Sequence, residues 1–447
     1  MTRAAQRGKR LFAAILAFTL AGAASAADLL DIYRDALASD ARHAAARAQF
    51  EAGQEKTIQG RSALLPTVAL TAHTRWNDVE TRAAGATSAT RYGSNAYAIQ
   101  ITQPLLRRQN WIQAEVGALQ TELATNVFGE ATQALILRTA ESYFNVLNAR
   151  DALDAIIQLR EAAAGQLVLA RTSFDVGTVT ITDVYEAQSR FDLASAQEIA
   201  ARNSMDMARE ALARLIGHSP APLAGLRAGV ELQAPRPGDI DSWVAAAIEG
   251  DFAVRTAELN RELAARALDH AQSGHLPTLD LVASYGHNHR PSTSVDRNAS
   301  GVVGLELNVP LYQGGAVSSA AREALALHQK SEAELEEARR GAALAAREAY
   351  LGVSNGIAQV KALEAARLSS DSALEANRLG YEVGVRINID VLNAQSQLAD
   401  TQQRLARARY DTLLAQLRLR AVTGALGMED LSAINALLEQ AADETQD

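Results

Sequence analysis

The chain repeats itself. Arg171 to Ser189 (RTSFDVGTVTITDVYEAQS) aligns without gaps on Arg378 to Ser396 (RLGYEVGVRINIDVLNAQS), with eight of 19 positions identical, at an offset of 207. Leu65-Pro66-Thr67 returns as Leu276-Pro277-Thr278 at 211, and Pro104-Leu105 as Pro310-Leu311 at 206. Segments in one order at nearly one spacing define two structural halves. The period is too long for a solenoid, whose repeats run about 20–50 residues. One large unit is therefore used twice.

Each half reads alike. A helix-prone stretch, 28–62, ends before Pro66 and is followed by the alternating run Thr67 to Trp76. A polar segment, Asn77 to Arg91, leads to a second alternating run in which Tyr97, Ile99 and Ile101 face one way. The second half repeats this with Leu279, Leu281, Ala283 and Tyr285, a polar loop His287 to Ser300, then Val303, Leu305, Leu307 and Val309. The spacing predicts strands over about 66–76, 92–103, 277–286 and 301–309. Period-two alternation over such lengths suits membrane strands with one lipid face and one wet face, though soluble hairpins look similar.

Very long helices follow, over 105–174 and 316–381. The first has no proline in about 70 residues, a span of roughly 105 Å at 1.5 Å per residue. Ile112, Val116, Leu119, Leu123 and Val127 form a coiled-coil-like seam. Shorter helices are expected over 183–216, 241–273 and 390–424. By length, 183–216 with 241–273 match one long helix, and 390–424 with 28–62 match the other. That arrangement is a wall one helix thick, wet on both sides, with alanine allowing close approach. Four strands cannot close a barrel, which needs about eight, so the sheet edges invite further chains.

The first 26 residues have the pattern of a secretory signal peptide. Arg3, Arg7, Lys9 and Arg10 precede the apolar run Leu11 to Leu20, and Ala24-Ser25-Ala26 is a small-residue cleavage pattern. Without this segment 39 basic residues face 52 acidic ones, a net charge of −13, which argues against nucleic acid as a partner. There is no cysteine, so disulfides, thiolate metal sites and a cysteine-borne lipid are excluded. No later segment resembles a membrane-spanning helix, so a membrane crossing must be a β-barrel.

The helix reversals at Val176-Gly177 and Val383-Gly384 stand out. Glycine tolerates the left-handed conformation that ends a helix. Asp183, with Glu186 three residues on, has capping-box spacing, and Asp390 is placed to cap likewise. Other chemistry is lacking. His287 and His289 have no third ligand at metal spacing. No nucleophile elbow is present, and Gly314-Gly315 lacks the rest of a nucleotide fingerprint. No catalytic residue, cofactor or metal site is expected, and the chain is not expected to be an enzyme. A soluble periplasmic coiled-coil adaptor or scaffold is the competing class, but it leaves the paired strands unexplained.

Taken in order, the signal segment, the duplicated halves, the strand pairs and the strings GHLPTLDL (274–281), PLYQGG (310–315) and IDVLNAQ (389–395) resemble the TolC family of outer-membrane efflux and type I secretion channels. The resemblance implies a mainly α chain with a membrane β part. Three chains would form a 12-stranded outer-membrane barrel, four strands each, continuous with a periplasmic α-helical barrel. Repeats 27–217 and 241–425 would be joined by an equatorial linker, 218–240, and 426–447 would be an equatorial or flexible tail. With no cysteine, this looks like the unlipidated branch. Thr182, Asp183, Tyr381 and Arg386 match residues that hold the periplasmic tip closed. Asp390 matches one of two acidic positions ringing the constriction, and the second is Asn393 here. The tip turns Val176, Gly177, Thr178 and Val383, Gly384, Val385 match the contact with a periplasmic adaptor, itself joined to an inner-membrane pump. Thr178 and Val385 stand where the family more often has Leu and Thr.

Overall fold

The computed structural model describes residues 26–292 and 294–439. The expected export segment (apart from Ala26) and the last eight residues lie outside them. The first half comprises α1 (Leu29–Ser39), α2 (Ala41–Ser62), β1 (Thr67–Ala83), β2 (Ala86–Leu106), α3 (Arg108–Asp175) and α4 (Ile181–Ile216). The second comprises α5 (Ile240–Gly250), α6 (Phe252–Gln272), β3 (Thr278–Ser292), β4 (Val295–Asn308), α7 (Ala316–Glu382) and α8 (Asn388–Val422), followed by α9 (Met428–Asn435). Each expected helix at the start of a half is two helices, broken at Asp40 and at Asp251. Each aspartate bends the chain into an extended conformation and caps the next helix, accepting two backbone N–H groups.

The strands form one antiparallel sheet in the order β1-β2-β3-β4. All four outrun their expected ends, and the polar segments after Trp76 and Tyr285 are strand, not loop. Polar residues there bond across the ladder: Arg82 Nε to Thr87 Oγ1 at 3.1 Å, and Arg91 to Asp78 at 2.9 Å. Polarity therefore leaves the pairing intact. The first hairpin closes through Ala84 and Gly85, both at positive φ, the two-residue turn that fits strand twist.

The helix pairing differs from the length-based expectation. α3 packs along α4 and α2 of its own half, and α7 along α8, α5 and α6 of its own half. The four short columns are nearly equal in length, so their sums could not separate one pairing from another. Close approach decides the packing of α2 on α3. A Cβ at Gly117 would lie 2.4 Å from the Lys56 carbonyl oxygen, and one at Gly60 would lie 3.1 Å from the Gly117 Cα.

One core dominates, around the middle of α3. Leu135, Tyr143, Phe144 and Leu147 meet Leu29 and Ile32 of α1, Leu212 and Ile216 of α4, and Leu413 and Leu417 of α8. Full burial of each such side chain contributes about 1.5–3 kcal/mol. The Tyr143 hydroxyl donates to the Ala224 carbonyl at 2.7 Å and Tyr410 to Asp151 at 2.6 Å, while burial pushes both phenols well above their ordinary range. Leu426, Leu431, Ile434 and Leu438 join this core, so the expected flexible tail is packed as far as residue 439.

The α1–α2 break is sensitive to acid. Burial opposes ionisation of Asp40, but Arg138 at 2.7 Å and the two capped amides outweigh it and hold the carboxyl below its ordinary value. Its contribution is present above the unfolded carboxyl's pKa and is lost as pH falls through the folded one. Burial, with Arg47 and Arg138 nearby, also lowers the His43 pKa against the pull of Asp40. His43 therefore favours the fold above its unfolded pKa and opposes it as pH falls below.

Two outcomes follow. Gly117→Val must force α2 off α3, at about 1–3 kcal/mol, and should lower the circular-dichroism melting midpoint by several degrees. His43→Phe should shrink the loss of melting midpoint between about pH 7.5 and pH 5, because the neutral ring has no proton to gain.

Candidate functional site at the helix tips

Both long helices end in the same six-residue device. After α3, the Thr178 N–H donates to the Ser173 carbonyl at 2.9 Å and Gly177 to Phe174 at 2.9 Å. After α7, Val385 donates to Gly380 at 2.8 Å and Gly384 to Tyr381 at 3.1 Å. This double bond pattern requires a left-handed residue, and Gly177 and Gly384 have φ of +78° and +76°. The turns present Val176, Val383 and Val385 to solvent, each at least 66% exposed.

The helices that follow start differently. Thr180, not Asp183, is the N-cap of α4. Thr180 N donates to Asp183 Oδ2 at 2.8 Å, and Asp183 N to Thr180 Oγ1 at 3.4 Å, a reciprocal box. Thr-Ile-Thr-Asp carries the motif three residues earlier than the expected pairing of Asp183 with Glu186. α8 begins after Ile387, which has no capping side chain, so Asp390 occupies the first turn without capping it. Its charge still suits the positive end of the helix.

Arg386 and Asp390, expected to serve separate ends, are brought together within one chain. Arg386 Nη1 lies 3.6 Å from Asp390 Oδ2. The Arg386 stem crosses Gly380, where an added Cβ would come within 2.7 Å of its Cγ. Asp183 is held by Thr180, and Thr182 is exposed. Arg386 makes no bond to Thr182 or Asp183 within the chain, among the described residues. Tyr381 is half-buried beside the turn.

Asn393 has a partner that sequence reasoning missed. Arg190 of α4 donates through Nη2 to Asn393 Oδ1 at 2.9 Å, linking the first half to the second. An open cleft of about 240 Å³ above it runs between α3, α4 and α8, lined by Ile156, Leu159, Leu193, Leu392 and Asp400. The only signal in the sequence was that Arg190 lies one helical turn pair beyond Asp183, on the same helix face. Asn388 is also buried here, with neither amide atom bonded to a described protein group.

His287 and His289 lie on β3, where His287 Nε2 meets the Tyr285 hydroxyl at 3.0 Å. Among the described residues no group of three His, Cys, Asp or Glu is arranged to hold a metal ion. None of the described helices is long and apolar enough to cross a membrane.

A family model described as "Outer membrane efflux protein" matches residues 32–218 and 243–425. Outer membrane protein TolC of Escherichia coli is 32% identical over 97% of this chain and 90% of its own length. The alkaline protease secretion protein AprF of Pseudomonas aeruginosa is 32% identical over 92% and 88%. The crystal structure of the CmeC outer membrane channel of Campylobacter jejuni superposes with a TM-score of 0.78 at 14% identity, covering 92% of this chain and 90% of that one.

The tip turn depends on its glycines. Gly384→Val imposes a left-handed conformation on a branched residue, at about 1–2 kcal/mol. The Val385 and Arg386 amides should then exchange hydrogen faster than in the parent.

Proposed function

The chain belongs to the outer membrane efflux protein family, and on that premise we propose that it is the exit duct of a tripartite efflux pump or type I secretion system. The observation that carries this reading is a four-stranded sheet with two free edges, continuous with helices of 68 and 67 residues. At 1.5 Å per residue these reach about 100 Å, enough to cross a periplasm-sized gap. Exposed apolar strand residues such as Val68, Leu70, Val303 and Leu305 suit a lipid-facing band. The family consists of transport channels, not enzymes, and the competing soluble scaffold is not favoured.

Three chains supply 12 strands and a helical tunnel. The tip turns are the gate. Opening must slide α7–α8 against α3–α4, and the ties that resist it are weak. An exposed ion pair is worth about 0–1 kcal/mol, so docking of a partner is sufficient to undo several. Within a chain, the hydrogen bond from Arg190 to the neutral Asn393 amide is a further weak tie. Tyr381 and Arg386 toward Thr182 and Asp183 of a neighbouring chain would be another. The exposed valines of the two turns offer an apolar foothold to the hairpin tips of a periplasmic adaptor, which couples the duct to an inner-membrane pump.

The throat is less acidic than two carboxylates per chain would make it. Asp390 contributes three charges to a trimer, each with Arg386 alongside, and Asn393 contributes none. Cation preference should be modest and block by multivalent cations weak.

The test is fractionation followed by planar-bilayer recording. A detergent-stable trimer from outer membranes is expected, and recovery as a soluble periplasmic monomer would sink the proposal. Arg386→Ala should raise single-channel conductance severalfold, with Arg190→Ala producing a smaller rise. Unchanged conductance in Arg386→Ala removes that residue from the gate. Asn393→Asp should increase cation selectivity.

A further inference from the structure

One face of the sheet is free of charge from its helical end up to a single row. Val68, Ile101, Ala283 and Val303 stand abreast across the four strands. Two rows further out, Ala72, Tyr97, His287 and Ala299 carry no acid, lysine or arginine either. The next row is Thr74, Asn95, His289 and Arg297, and Arg297 is the first charged residue met on this face of the strands. We infer that Arg297 and His289 together bind the phosphate of an anionic lipid in the outer leaflet of the outer membrane. The inference rests on the exit-duct reading, which turns this face toward lipid.

Strand length puts that row at the membrane boundary. A strand tilted by about 45° crosses the hydrocarbon in roughly 9–11 residues. The stretch from Leu307 to Arg297 on β4 is the upper end of that range, so an apolar band that starts at Leu307 ends at Arg297. The aromatic side chains agree with this level. Tyr285 Oη lies 3.0 Å from His287 Nε2, two residues nearer the hairpin turn, so the phenol points outward along the strand. Tyr97 packs on the same imidazole, with ring centroids 5.2 Å apart. Trp76, one row beyond Thr74, is 76% exposed and lies over Gly93, where a Cβ would be 3.8 Å from its ring. Rings with an apolar body and a polar tip collect at the headgroup level.

Charge selects the occupant. Further out on the same face Arg91 is neutralised by Asp78 at 2.9 Å. Arg297 is exposed and has no ion-pair partner among the described residues. The residue directly opposite it is His289, also exposed. Opposed strand residues are about 4.5–5.5 Å apart at Cα, so the guanidinium and a ring N–H can reach one phosphate together. A guanidinium offers a planar fork of donors that fits phosphate oxygens. At and beyond this row Arg75, Arg82, Arg91, Arg290 and Arg297 outnumber Asp78, Glu80 and Asp296, although the whole chain carries a net charge of −9. A positive excess confined to one end of an acidic chain favours an anionic partner there. A zwitterionic headgroup brings its own cation to the phosphate, whereas an anionic headgroup leaves the phosphate free for the protein.

The test is native mass spectrometry of the full-length protein, purified from outer membranes in a non-ionic detergent and titrated with lipid A or with phosphatidylethanolamine. The parent should retain lipid A in preference to phosphatidylethanolamine. Arg297→Gln with His289→Gln should weaken lipid A by about fivefold or more, the effect of losing one cation near a membrane surface, and leave phosphatidylethanolamine unchanged. Arg75→Gln, on the opposite face of β1, should retain lipid A as the parent does. Raising the salt should weaken lipid A on the parent and not phosphatidylethanolamine, a measurement that needs no variant. An equal affinity of the parent for both lipids, lipid A binding indifferent to salt, or an equal loss in Arg75→Gln overturns the site. So does a folded double variant that binds lipid A as the parent does. Each of these leaves the exit duct standing, whereas a protein absent from outer membranes overturns both.

Discussion

A helix of about 100 Å cannot be covered by one core, and the rest of the molecule follows from that constraint. α3 buries residues around much of its circumference, from Ile112 near the sheet to Ala170 near the tip. None of the shorter helices is long enough to pair with it, and α7, of 67 residues, is lined by the short helices of its own half. α2 and α4 share the task, and α1 bridges them where Gly217 ends α4 beside Ser39 and where His218 reaches Asp35 at 3.2 Å. In the second half the end of α8 meets the end of α5 in the same way, with Gly424 against Gly250. The dominant apolar core sits near the first junction, where α1, the connecting segment after α4 and α9 add a further layer. Away from it the wall is thin, and its cohesion depends on small residues and ion pairs.

That distribution of stability leaves the tip the least supported part of the chain. Near residues 163–191 the helices share only a small cluster of Ala163, Leu167, Ala170, Val184, Ala187 and Leu392. Beyond it lie turns closed by backbone bonds and exposed polar ties. Regions with few buried contacts open at low free-energy cost. The tip can therefore change shape while the equatorial core and the strand ladder stay as they are. Arg386, bound to Asp390 in its own chain, has an alternative partner only if a neighbour brings one within reach.

Much of this was legible in the sequence. Gly177 and Gly384 could be assigned because only glycine takes the left-handed conformation cheaply. The long helices were visible because proline is absent over their length, and the hairpins because side chains alternate with period two. The polar halves of the strands were missed, since Asn77 to Arg91 looks like a loop until cross-strand bonds such as Arg91 to Asp78 are seen. The cap of α4 was misplaced because Thr180 and Asp183 both have capping chemistry, and only backbone geometry chooses between them. Arg190 gave little signal, because its partner Asn393 lies 203 positions away.

By itself the sequence determined the local and the periodic: two equivalent halves, the order of long helices and strand pairs within them, where each long helix must reverse, and that the sheet edges stay open. These depend on residue type and on spacing along one chain. Only the tertiary structure decided which short helix lies on which long one, because helices of nearly equal length are interchangeable until Gly60 and Gly117 bring two backbones together. It alone joined Arg386 to Asp390 and Arg190 to Asn393, since both links depend on how turns and neighbouring helices are oriented in space.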